Sequence, residues 1–319
     1  MTMDVLYFPF IRVPESPWLT RMLLYWDHVG TITPYEFMQE PERLGPHTQS
    51  LVQEGLVLPI FPGQYVHDLP QFEEQFLRFV SSKSDVLDRR RAQFLAGSHA
   101  PIHLEKLGTV GNGLEELHLA RREGNWSLVE TDTAEEFMAY LATVLGQLPE
   151  VQSVPITDQL SGIGRLAASS VDSGIEARLA SLRTEVLRDV FPAPVRPLTA
   201  VEIALFKKKH HDLLSRFRLE VEKEVVRLAD FQDESLRRVA RDNLSDRIEQ
   251  DVLEIGAKLQ EAGFGGISSS KWLAVLGNVP VVGTVFSLLG SVESLFESGH
   301  TSPAGPFAYA GYARAMLLD

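Results

Sequence analysis

Apolar positions along the first half of the chain alternate between short continuous runs and stripes at helical spacing. Residues 5–10 (VLYFPF) are aromatic and β-branched and read as a strand, closed by Pro9 and Pro14. Ser16-Pro17-Trp18 then opens a helix, with serine placed to cap it and proline at its first position. Further strands are expected over residues 29–33, 56–61, 102–107, 126–130 and 154–157. Helices are expected between them over residues 47–54, 71–95 (Phe72, Phe76, Phe79, Val80, Leu87 and Phe94), 114–122 and 131–148. The last of these is opened by Asp132 or Thr133, with Glu136 placed for a capping box. This alternation predicts an α/β layer with a mixed or mostly parallel sheet of about five to six short strands.

The pattern changes in the second half. Residues 160–171 are small and weakly patterned, a helix is expected over 175–190, and PAPVRP (residues 192–197) interrupts helix and strand alike. From Thr199 onward Ile203, Phe206, His210, Leu213 or Leu214, Phe217, Val221, Val225 and Leu228 recur at helical spacing. A second stripe of Leu236, Val239, Leu244, Ile248, Val252, Ile255 and Leu259 follows over residues 233–262. The expected organisation is therefore an α/β domain (1–191), a proline-rich linker (192–198) and an all-α domain (199–319) built on a long antiparallel helical hairpin. Residues 272–292, from Trp272 to Val292, carry no charge, yet Asn278-Val279-Pro280 splits them into two pieces, each too short to cross a bilayer as a helix. A buried hairpin that caps the core is the expected role, with a membrane-inserting or partner-binding hairpin as the alternatives.

Composition narrows the chemistry. The 319 residues carry 30 Lys and Arg against 43 Asp and Glu, a net charge of −13, so no global basic footprint for nucleic acid exists. With no cysteine, disulfides, thiol nucleophiles, iron–sulfur clusters and cysteine zinc sites are all excluded. The first residues lack the basic-then-apolar layout of a secretory signal, and a cytoplasmic location is expected.

Several motifs together, YFPF (7–10), WLTRMLLYWD (18–27), IHLEKLG (102–108), WSLVE with DTAEEFMAYLA (126–142), PITD (155–158) and FKKKHHDLLSRFR (206–218), resemble an uncharacterised bacterial family best represented in actinomycetes. That resemblance implies one shared architecture over most of the chain. The family is a domain of unknown function, so it implies no reaction, cofactor or site residue.

Candidate chemistry must then come from position. If residues 102–107 are a strand, His103 and Glu105 face one side and Lys106 the other, an arrangement open to metal binding or acid–base work and equally to an ordinary strand end. Ligands of a parallel α/β sheet sit beyond the carboxyl ends of its strands, which nominates Arg12, His67, Glu105, Lys106, Glu130, Asp132 and Asp158. Asp132 and Asp158 also read as a cap and a turn residue. The run Gly108-Thr109-Val110-Gly111-Asn112-Gly113 precedes a helix, so Gly111 and Gly113 are candidates to present N–H groups to an anion, although the run matches neither dinucleotide nor Walker patterns. The candidates are thus His103, Glu105, Lys106 and Asp158 for catalysis and Arg12, Gly111 and Gly113 for cofactor binding, with no metal set and no cofactor named.

The basic cluster Lys207–Lys209 with His210, His211, Arg216 and Arg218 is balanced by Glu220, Glu222 and Glu224 and reads as a solvated face. Missing catalytic signatures and the two amphipathic helices favour a non-enzymatic interaction or scaffolding protein, joined to a protein partner or to its own copies through the C-terminal helices. Two alternatives stay open: an enzyme for a phosphorylated or nucleotide-like ligand at the strand ends, and a membrane-active defence or toxin-like effector that uses residues 272–292.

Overall fold

The computed structural model describes residues 4–66, 69, 71–82, 84–159, 162, 173–261 and 307–318. The apolar segment 272–292 and His67 lie outside the described residues. The chain runs β1 (Asp4–Tyr7), α1 (Pro17–Tyr25), β2 (His28–Ile32), α2 (Glu36–Gln39), α3 (Gly45–Gln53), β3 (Val57–Ile60), α4 (Phe72–Ser81), α5 (Ser84–Leu95) and β4 (His99–His103). It continues through α6 (Leu104–Leu107), α7 (Val110–Glu116), β5 (Ala120–Glu123), β6 (Trp126–Glu130), α8 (Thr131–Gln147) and β7 (Ser153–Ile156). Helices α9 (Ser173–Val190), α10 (Ala200–Lys209), α11 (His211–Asp230), α12 (Glu234–Glu261) and α13 (Ala308–Leu318) follow.

These elements fall into two compact units, residues 1–15 with 26–177 and residues 16–25 with 178–319. Helix α1 thus belongs with the C-terminal helices. The proline-rich stretch 192–197 lies inside the second unit, where the Val195 N–H donates to the Leu317 carbonyl at 2.9 Å.

Among the described residues of the first unit, the strands form two sheets. One is wholly parallel, in the order β3-β2-β1-β7, and the other is antiparallel, in the order β4-β6-β5. The α/β character expected from the sequence is present, but its strands divide between these two sheets. Proline explains the placement, because a strand that lacks an N–H belongs at an edge. Pro59, Pro155 and Pro101 lie in β3, β7 and β4, all edge strands, whereas proline-free β1, β2 and β6 take the centres. Val5, Leu6 and Tyr7 of β1 are all buried without alternation, as expected for a strand covered on both faces.

Strand β5 corrects the expected helix over 114–122. That helix ends at Glu116, and Ala120–Glu123 pairs with β6 through a two-residue turn in which Gly124 adopts φ +62°. The expected helix over 71–95 is two helices, α4 and α5. Helix α8 packs on β1, β7, β4 and β6, and its Phe137, Leu141 and Leu145 sit in the core that joins the sheets. Its cap is neither Asp132 nor Thr133. The buried Glu130 carboxylate accepts the Asp132 N–H at 3.1 Å, the Thr133 N–H at 2.8 Å and the Thr133 hydroxyl at 2.7 Å. Glu136 instead pairs with Arg90 at 2.7 Å.

The second unit is helical. Its core gathers Tyr25, Phe191, Phe206, Phe217, Phe307 and Tyr309, which meet in edge-on, tilted and stacked pairs. Glu222 takes both Arg183 Nε (2.5 Å) and Nη2 (2.7 Å) and the Tyr25 hydroxyl (2.6 Å). The first long stripe is buried as expected at Ile203, Phe206, Leu214, Phe217, Val221, Val225 and Leu228, although a break at His210 divides it into α10 and α11. In the second stripe Leu244 and Ile248 are buried, but Leu236 and Val239 are more than half exposed, which shortens the expected apolar face. In the basic cluster Lys208, Lys209, His211 and Arg216 are exposed, while Arg218 is buried and donates to the Tyr25 carbonyl. Among the described residues no helix is long and apolar enough to cross a membrane.

Candidate functional site

The order β3-β2-β1-β7 fixes where a ligand can enter. From β1 the chain builds outward through β2 to β3, then returns to place β7 on the opposite side of β1. The connection leaving β1 runs toward β2, away from β7, so the strand order reverses between β1 and β7, and the crevice at their carboxyl ends is the switch point of the sheet. A cavity of about 760 Å³ lies there, inside the first unit. Its walls come from the segment after β1 (Phe8 to Arg12), from Gln159 and Gly162 after β7, from Pro101, Ile102 and His103 of β4, from Lys106 and Trp126, and from Ala134 and Met138 of α8. Most of these side chains are apolar or aromatic, with polar groups at a few points.

Strand β4 delivers His103 to the cavity and the backbone then turns at once into α6. His103 is 5% exposed, and its Nδ1 accepts the Glu105 N–H at 3.3 Å, capping that short helix. The proton consequently resides on Nε2, which lies 3.2 Å from Glu36 Oε1 without the alignment of a hydrogen bond. Trp126 meets the imidazole edge-on at 5.1 Å between ring centres. Burial lowers the basicity of His103 against the pull of Glu36, so the ring is neutral at pH 7. With Nδ1 occupied and Nε2 facing a carboxylate, His103 orients α6 and offers the cavity no free base.

The turn into α6 overturns the strand expected over 102–107, and with it the expected pairing of site residues. Glu105 leaves the His103 side: its two oxygens both accept the Tyr35 N–H, at 3.0 and 2.9 Å, and its stem fills the space over Gly63. Lys106 does not face the other way but lines the same cavity as His103. It is 3% exposed, and among the described residues it makes no hydrogen bond or ion pair. Desolvation brings its amine down from 10.5 to about 7, so that about half of it is neutral at pH 7.

Other candidates are redistributed. Arg12 stands at the cavity wall, donating through Nε (3.0 Å) and Nη2 (2.8 Å) to the Arg43 carbonyl. Arg43 also reaches the wall, with its guanidinium 2.9 Å from Glu36. Asp158 lies outside the cavity lining and accepts the Tyr7 hydroxyl at 3.1 Å, a bond that together with burial pushes the phenol well above its usual range. Gly111 and Gly113 form no anion loop. Both are buried within α7, where Gly113 admits the Leu77 side chain and Gly111 faces Leu107. Among the described residues no group of three or more His, Asp or Glu is placed to hold a metal ion.

The apolar wall was missed by sequence reasoning that sought polar groups. Phe8 to Ile11 directly follow β1 and Gln159 directly follows the nominated Asp158, so the strand-end rule points to both stretches. Trp126 and Met138 carried no such signal, because either is ordinary core material in isolation.

No family model, no curated protein and no solved structure matches the chain.

Proposed function

We propose that the α/β unit is an enzyme-type module that binds an organic anion with a flat apolar body in the switch-point cavity. Phosphorylated and nucleotide-like compounds belong to this class. One observation carries the reading: a cavity of about 760 Å³ at the switch point between β1 and β7, with the buried amine of Lys106, unpaired among the described residues, in its wall. The aromatic lining suits a flat body. Among the described residues of the wall, the guanidinium groups of Arg12 and Arg43 stand against the carboxylate of Glu135 on a chain whose net charge is −13, which favours a negative group on the ligand.

Titrations with phenylpyruvate and AMP, each beside an uncharged analogue, test this reading. The expected result is a saturable change in Trp126 fluorescence and a raised melting temperature for at least one anion, both lost when Ala134→Trp fills the cavity. A flat response in both signals for all the compounds overturns it.

The scaffolding reading has support of its own in the second unit. Leu205, Leu219, Val226, Leu236 and Val239 are each more than half exposed on α10, α11 and α12. We propose that residues 199–262 act as the helical hairpin expected from the sequence and meet a protein partner or a second copy through these side chains. Sedimentation of the chain beside Leu219→Glu tests it: a species heavier than the monomer that disappears in the variant is expected, and a monomer in both contradicts self-association. We further propose a cytoplasmic location and membership in the uncharacterised family that the chain resembles.

A further inference from the structure

Burying an amine without a partner disfavours folding, and packing alone is better served by methionine or leucine at the same place. Lys106 nevertheless occupies a buried position in the cavity wall, 3% exposed and with no partner among the described residues. Its carboxylate neighbours are engaged elsewhere: Glu105 on the Tyr35 N–H, and Glu36 on Arg43, Asn125 and the approach to His103. His103, at the start of the same short helix, is neutral at pH 7 and does not offset a charge on Lys106. An amine so placed is poorly suited to hold an anion by itself and well suited to act as a nucleophile.

We propose that Lys106 captures the carbonyl carbon of an aldehyde or keto acid bound in the switch-point cavity as an imine. This inference rests on the ligand-binding reading above and names the reactive class of that ligand. The Nζ lone pair forms the C–N bond as the carbonyl π pair moves onto oxygen. A proton passes from nitrogen to that oxygen to give the carbinolamine. The hydroxyl then leaves as water as the C=N bond forms. Nothing is oxidised or reduced, and water reverses the sequence. The apolar walls from Phe8, Ile102, Trp126 and Met138 limit water around the imine, and Arg12 stands in the same wall to meet a carboxylate. The amine falls near 7, which supplies the neutral form at physiological pH.

The test is reductive trapping on the full chain. Benzaldehyde and phenylpyruvate are each incubated at pH 7 with sodium cyanoborohydride, Lys106→Met and Lys106→Arg are run in parallel, and Trp126 fluorescence reports binding. Peptide mass spectrometry is expected to find one reduced adduct per chain on Lys106, at least about tenfold above exposed Lys208 and Lys223, which lie outside the cavity. Both variants should lose this adduct and keep the background. Trp126 responding to the probes while Lys106 stays unmodified overturns the imine and leaves the ligand site standing. Neither a Trp126 response nor an adduct on Lys106 with either probe overturns both readings.

Discussion

Replacing Lys106 by methionine should stabilise this protein at neutral pH, although the change removes a functional group from a buried position. Folding takes the amine from 10.5 to about 7 because burial removes it from water and, among the described residues, it gains no partner. At about 1.4 kcal/mol for each tenfold change in proton affinity, that desolvation costs the folded state roughly 4 kcal/mol at pH 7. A lysine lowered on folding binds its proton more tightly in the unfolded chain. Stability therefore rises with pH between about 7 and 10.5 and is lowest where both states are charged. Methionine has similar length and no charge, so Lys106→Met should gain up to about 4 kcal/mol at pH 7 and below, with the gain fading as pH approaches 10.5. Urea unfolding of both proteins at several pH values between 6 and 10, followed by tryptophan fluorescence, measures the difference. Taking the difference cancels every other titrating group common to both chains. A destabilised variant at pH 7, or a difference independent of pH, would refute the claim that burial lowers the Lys106 amine on folding.

Other substitutions probe the frame around the cavity and the helical unit. Glu130→Ala removes the acceptor of three hydrogen bonds at the start of α8 and should cost about 1–3 kcal/mol, read from the urea midpoint. Gly146→Ala would bring a Cβ within 2.3 Å of the Ser153 carbonyl oxygen, backbone that has nowhere to go, and should lower the melting temperature despite the better helix propensity of alanine. In the second unit, Glu222→Gln strips the partner from largely buried Arg183 and should cost roughly 3–5 kcal/mol by calorimetry. Arg183 and Tyr25 hold the Glu222 carboxyl below its usual value in spite of burial, so its contribution is present at neutral pH and should be lost as pH falls below about 4.5.

Much of the architecture was legible because it rests on local rules. The apolar, β-branched and aromatic run of Val5, Leu6 and Tyr7 marked a strand, and the stripe from Ile203 to Leu228 marked a buried helical face. Strand β5 was not legible in this way. Arg121, Arg122 and Glu123 form a charged, exposed edge with no apolar alternation, and only Gly124-Asn125 signals the hairpin. The site was half legible for a related reason. Strand-end geometry pointed to Arg12, Lys106 and the neighbourhood of Gln159, but whether residues 102–107 continue as a strand or turn into α6 is decided by His103 accepting the Glu105 N–H. That one bond exchanges the partners, sending Glu105 to Tyr35 and bringing Lys106 beside His103 in the cavity.

The central claim is that Lys106 presents a neutral amine to the cavity near pH 7, and competitive labelling measures it residue by residue. Trace acetic anhydride applied to the folded chain between pH 5 and 11, with quantitative peptide mass spectrometry, gives a titration for each lysine. Lys106 should be labelled with a midpoint near 7. A Lys106 midpoint near 10.5, or no labelling of Lys106 at any pH in the folded chain, would contradict it.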